Sequence, residues 1–124
     1  MRYMLLFHYP EETEESLGAE AMASGRQQFA AYAATLEQAG VLVSGQVLQP
    51  SDRSTTLRLV DGRLRIQDGP YADTKEQLGG VMIIDVPDFD AALDLARQAP
   101  PLGWGCVEIR PGAVHTEDGV WVPS

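Results

Sequence analysis

The stretch Val81-Met82-Ile83-Ile84-Asp85-Val86-Pro87-Asp88-Phe89-Asp90-Ala91-Ala92-Leu93 decides the architecture. Its first six residues are almost continuously apolar, which predicts a strand covered on both faces. Asp88 stands where a helix cap belongs, and Phe89, Ala92, Leu93 and Ala96 follow at i, i+3, i+4 and i+7. Pro100-Pro101 end that helix. Cys106 to Arg110 alternates as a further strand, stopped by Pro111-Gly112. Upstream, residues 2–8 alternate too, with Tyr3, Leu5 and Phe7 on one face and Met4, Leu6 and His8 on the other.

Between these ends the chain reads as follows. Glu11, Glu12, Glu14 and Glu15 form a solvated acidic run. A helix over about residues 19–39 carries Met22, Phe29, Ala33 and Leu36 on one stripe, with Tyr32 at its edge. Ser24 and Gln27 have capping-box spacing, which would delay its regular start to Ser24, and Gly40 stops it. Val41 to Leu48 is a strand. Thr55 to Val60 and Leu64 to Gln67 form a hairpin across Asp61-Gly62, the dipeptide that tight primed turns favour. Asp73 to Glu76 reads as one capped helical turn closed by Gly79-Gly80, and residues 113–124 as a tail after a domain spanning 1–112.

The order β-α-β, hairpin, β-α-β predicts an α+β fold of the ferredoxin-like, split βαβ kind with a hairpin extension. Two helices cover only one face of such a sheet. Strands that are apolar on both faces need a second cover; a symmetric homodimer with two sheets face to face provides one, and is preferred over a monomer capped by its own C-terminal tail.

Composition removes several functions. With 9 Lys plus Arg against 18 Asp plus Glu, the 124 residues carry a net charge of −9. A chain so acidic, with no basic cluster, is not expected to bind nucleic acid or an anionic membrane surface. One cysteine, Cys106, excludes an intrachain disulfide and a cysteine-rich zinc site, and it reads as a small buried hydrophobe. Two histidines, His8 and His115, are too few for a zinc site, so no metal is expected. No stretch is a signal peptide or a membrane span, so a cytoplasmic protein is expected. The glycines form neither a dinucleotide nor a phosphate loop, so no cofactor is expected.

Residues 68–80, Asp-Gly-Pro-Tyr-Ala-Asp-Thr-Lys-Glu-Gln-Leu-Gly-Gly, resemble the signature of the DGPF branch of the YCII-related family, with Tyr71 in place of phenylalanine. Ala39-Gly40-Val41-Leu42, Gly45-Gln46-Val47-Leu48-Gln49-Pro50, Ala91-Ala92-Leu93 and Glu108-Ile109-Arg110-Pro111 agree with it, so the resemblance spans residues 1–112. It implies a dimeric α+β barrel. It also implies a link to sigma factors, near which many relatives are encoded. In the wider group an enzymatic role rests on a His–Asp pair, with the histidine early in the first helix. Here Arg26-Gln27-Gln28-Phe29 offers no histidine, and Gln46 stands where DGPF relatives commonly carry glutamate.

Each candidate site residue has two readings. Asp68 is a base or an orienting acceptor beside a cleft, or it starts a turn in which Gly69 supplies an unusual φ and Pro70 fixes the exit. Asp73 assists proton transfer or ligand binding, or caps a helical turn with Glu76. Lys75 holds an anion, or is a surface charge. Arg110 grips a carboxylate with its planar fork, or pairs with acids at a subunit seam. His8 is a general base facing a cavity, or bonds a carbonyl at the sheet's edge. Tyr71 joins Lys75, Arg110 and Asp73 as a ligand contact. Two functions follow. One is a small-molecule-binding homodimer, with a polar or carboxylated ligand and acid–base chemistry through Asp68 and His8. The other is a non-catalytic partner of a regulatory protein such as a sigma factor.

Overall fold

The computed structural model describes residues 1–124. Nine residues of β1 (Arg2–Pro10) lie at the centre of a four-stranded antiparallel sheet, between β5 (Glu76–Asp85) and β6 (Cys106–Pro111). The edge strand β2 (Leu42–Val47) pairs with β5, giving the order β2-β5-β1-β6. The fold is α+β.

Alternation in β1 divides the sheet as the sequence predicts. Tyr3, Leu5 and Phe7 are buried beneath α2 (Ala19–Gln38) and α3 (Phe89–Ala96), with Leu36, Met82, Ile84, Ala92 and Ala96 completing the core. Val107 and Ile109 pack against this core from β6, and no polar or charged residue is buried. The other sheet face holds Met4 and Leu6 beside Ile83 and Val81, all half-buried. The apolar run at 81–86 is therefore fully covered on one face and partly open on the other.

Several local expectations are corrected. The strand containing Val81 starts five residues earlier, at Glu76, so Gly79-Gly80 lie within a strand and do not end a helix. Asp73 caps nothing; residues 71–75 form a non-helical loop with bends at 71, 72 and 75, in which Thr74 and Gln77 bond neighbouring carbonyls. A short helix, α1 (Glu14–Leu17), forms inside the acidic run. Its capping box is Thr13 with Ser16: Thr13 Oγ1 accepts from Ser16 N at 3.1 Å, and Thr13 N donates to Ser16 Oγ at 2.9 Å. Gly18, at φ +95°, then separates α1 from α2, so the long helix begins at Ala19 and Ser24 lies inside it. The tail is a second hairpin, β7 (Val114–Glu117) and β8 (Val120–Pro123), across Asp118-Gly119. That is the same turn dipeptide as Asp61-Gly62, which joins β3 (Thr55–Val60) to β4 (Arg63–Asp68), and all four turn residues have positive φ.

Two register irregularities shape the sheet. One separates Phe7 from His8 against β5, where Gly79 is the extra residue; the other lies between Leu42 and Ser44 on β2. Other anticipated features are present. Asp88 accepts from Ala91 N at 2.9 Å, and Gly40 and Gly69 take φ of +73° and +109°.

Tyr32 is buried rather than marginal, and its hydroxyl donates to the Leu95 carbonyl at 2.8 Å, joining α2 to α3. Burial pushes this phenol up to about 12 from the ordinary 10.0. A folded state that favours the neutral phenol gains stability fully present below pH 10.0, and loses it as pH rises through about 12. Thermal melts should therefore fall steeply over that alkaline window. Tyr32→Phe should flatten that part of the profile and cost about 1 kcal/mol at neutral pH. An unchanged alkaline slope in the variant would remove this account.

Candidate functional site

The bulge at Gly79 decides what lies at the far end of β1. His8 stands opposite Leu78 on one side and Cys106 on the other, on the sheet face away from the helices. Tyr9 is wedged between two glycines, since a Cβ at Gly79 would overlap its ring and a Cβ at Gly105 would lie 2.7 Å from its Cβ. The Tyr9 phenol is raised by burial first and by the Glu11 carboxylate second. Glu11 itself leaves the solvated run. Its carboxylate accepts from Ser51 N at 2.6 Å and from the Ser51 hydroxyl, which ties β1 to the one-turn 3-10 helix Ser51–Arg53.

An open cleft of about 900 Å³ lies here. Its walls are His8, Glu76, Gln77, Leu78 and Cys106 from the sheet, residues 48–51 and 53–56 leading into β3, and Pro70, Tyr71, Ala72 and Thr74 from the loop before β5. The volume lies in the range of small-molecule sites.

The polar groups form a chain across the sheet. His8 Nε2 lies 3.5 Å from Glu108 Oε1, is shut off from solvent and has no hydrogen-bond partner. Arg110 donates to Glu108 Oε2 from Nε at 2.9 Å and also from Nη2. Arg110 holds the Glu108 carboxyl below the usual range, chiefly by hydrogen bond. Partial desolvation opposes this, while the Arg110 charge and His8 add to it. Cys106 is exposed rather than buried, because it opens β6 at the cleft's edge. Its thiol lies 3.6 Å from Glu76 Oε2. Desolvation first, then the Glu76 and Glu108 carboxylates, raise the thiol above its ordinary range. A thiol so placed is a poor nucleophile at neutral pH.

The expected site residues divide. His8 and Tyr71 line the cleft together. Arg110 does not line it and is linked to it only through Glu108 and His8. Asp68 ends β4 opposite Thr55, its side chain neither lining the cleft that holds His8 nor hydrogen-bonded. Asp73 and Lys75 are exposed outside the lining, and Lys75 forms no ion pair. The unforeseen members are Glu108, as the partner of His8, and Arg53. Of the lining residues only Arg53 is a lysine or arginine, and no carboxylate neutralises it. The alternation of Cys106 to Arg110 placed Glu108 and His8 on one face; no local pattern signalled Arg53.

The family model described as the YCII-related domain matches residues 1–112. The chain belongs to the YCII-related family. An uncharacterised protein of Rhizobium meliloti (strain 1021) is 34% identical over 118 residues, covering 93% of this chain and 94% of the relative. The family match spans every wall of the cleft and ends where β6 gives way to the β7–β8 hairpin. This YCII-related chain has no helix long and apolar enough to cross a membrane.

Proposed function

We propose that this YCII-related protein binds a small carboxylated metabolite in the cleft and moves a proton on it through His8. The observation that supports this reading is the His8–Glu108–Arg110 chain opening onto a cleft whose lone guanidinium, Arg53, is unpaired. Glu108 faces Nε2; a hydrogen bond between them would hold the ring proton there and leave Nδ1 to accept a proton from the ligand. At 3.5 Å the His8–Glu108 contact is longer than a hydrogen bond, and contacts of this kind tighten when ligand enters. Arg53 takes over the anion-holding part first expected of Lys75 and Arg110, since a guanidinium fork matches a carboxylate. The orienting-acceptor part first expected of Asp68 passes to Glu108, which faces His8.

In the same reading the subunit is a ferredoxin-like split βαβ unit, and a second copy covers the half-open face of Met4, Leu6, Val81 and Ile83 as a dimeric barrel. The lone thiol and acidic surface suit the cytoplasm. The open, unfilled cleft favours ligand binding over the regulatory-partner alternative.

Benzoate and aliphatic monocarboxylates are the probes. Binding followed by calorimetry should weaken about tenfold or more in Arg53→Ala, and much less in His8→Gln. Millimolar carboxylates that neither bind nor raise the melting temperature of the native chain would sink the reading.

A further inference from the structure

The β3–β4 hairpin is bonded to none of the four sheet strands; its own ladder is complete in itself. Its two faces are inverted for a hairpin in water. Thr56 and Arg58 share one face with Gln67 and Arg65. That face turns toward the body, since Arg58 lies over the Tyr71 ring at 5.4 Å and Thr56 Oγ1 donates to the Gly69 carbonyl at 2.7 Å. The opposite face carries the cross-strand pairs Leu57–Ile66 and Leu59–Leu64, and these four side chains are 58–71% exposed. A hairpin with one wet face ordinarily turns its polar side chains outward. Two strands alone are marginal, so an outward apolar face needs a partner.

We propose that this face docks on a second copy of the chain, so that each cleft is framed by an arm that the other copy holds in place. The inference rests on the homodimer of the proposed function, and adds to it a contact outside the sheet faces. Charge does not oppose a second copy as the occupant. Arg58, Arg63 and Arg65 lie on the body-facing side, and the strand residues of the outward face carry one charge, Asp68 at the arm's base, so two chains of net −9 can close on that face with little repulsion.

The area is also sufficient. Each of the four side chains offers about 100 Å², hence about 400 Å² per arm. Two reciprocal arms with their seats bury about 1,600 Å², the size of a standard stable interface. The arm's base is part of the cleft: Ser54, Thr55 and Thr56 form one wall, and Pro70 and Tyr71 another. Fixing the arm fixes those walls, which couples ligand affinity to association.

The test is sedimentation of the full chain and of Leu59→Thr/Leu64→Thr/Ile66→Thr, substitutions that keep β propensity. Micromolar wild type should sediment at twice the 13.5 kDa chain mass. The triple variant should dissociate toward the single-chain mass and bind benzoate about tenfold more weakly. A second readout does not depend on the variant's folding: Ile66→Cys in a Cys106→Ser background should resist a bulky maleimide at micromolar protein and react freely on dilution to nanomolar. A triple variant that stays dimeric, with equal labelling at both concentrations, overturns the arm contact and leaves the sheet-face dimer standing. Unchanged benzoate affinity in a dissociated variant overturns the framing of the cleft. A monomeric wild type overturns both modes of association, and carboxylate binding by that monomer still decides the cleft separately.

Discussion

Gly105→Ala should lower stability by about 3 kcal/mol or more, equivalent to a melting temperature roughly 10 °C lower. A methyl group here would overlap the His8 carbonyl oxygen and lie 2.7 Å from Tyr9 Cβ and 2.9 Å from Tyr9 Cα. Two of those three atoms are backbone, so no rotamer change relieves the overlap; β1 and β6 must separate where His8 faces Cys106. Gly79→Ala is the informative contrast. Its methyl meets the far end of the Tyr9 ring, which can swing aside, so the cost should stay near 1 kcal/mol. Urea titrations of the two variants check the difference, and equal losses would show that Tyr9, not the backbone, sets the spacing. Because Gly105 abuts His8, its variant should also lose carboxylate binding in proportion to the residual distortion.

Phe7→Ala should cost about 3–5 kcal/mol, a large share of the stability of a domain this size. The ring is 1% exposed and packs edge-on against Phe29 at 5.8 Å, and Phe29 in turn meets Trp104 at 6.4 Å. Deleting the first ring leaves a cavity whose walls are a strand and a long helix, neither of which collapses easily. Phe7→Leu retains most of the volume and should lose less than half as much. Chemical denaturation checks both. A loss below about 1 kcal/mol for Phe7→Ala would mean that the core is not centred on β1.

The elements legible in the sequence were those with a strong period. Alternation gave β1 its two faces, and Asp88 with the apolar positions after it gave α3. Asp61-Gly62 marked one hairpin; Asp118-Gly119 marked another in the same way, but four-residue strands beside it are too short to show a period. The segment 71–80 misled because Asp73 and the paired glycines are equally compatible with a capped turn and with a bulged strand. Only the pairing of β5 with β1 and β2, distant in sequence, selects the strand. The site was half legible for the same reason. His8 and Glu108 could be placed on one sheet face from alternation, whereas Arg53 enters the cleft only because Glu11 anchors the Ser51 turn, forty residues away in sequence.

The register irregularity in β2 has a consequence for life at high concentration. Exposed edges of a flat sheet invite unlimited strand-by-strand growth, and β2 is such an edge, with Val43 and Val47 open to water. The bulge before Ser44 and the glycine at position 45 bend its outer row of amides out of line. The opposite border, β6, terminates in Pro111, which has no amide proton to offer. Both devices disfavour strand-by-strand growth at the margins, and in the homodimer proposed above like molecules would meet through their broad surfaces and arms, in an assembly of finite size.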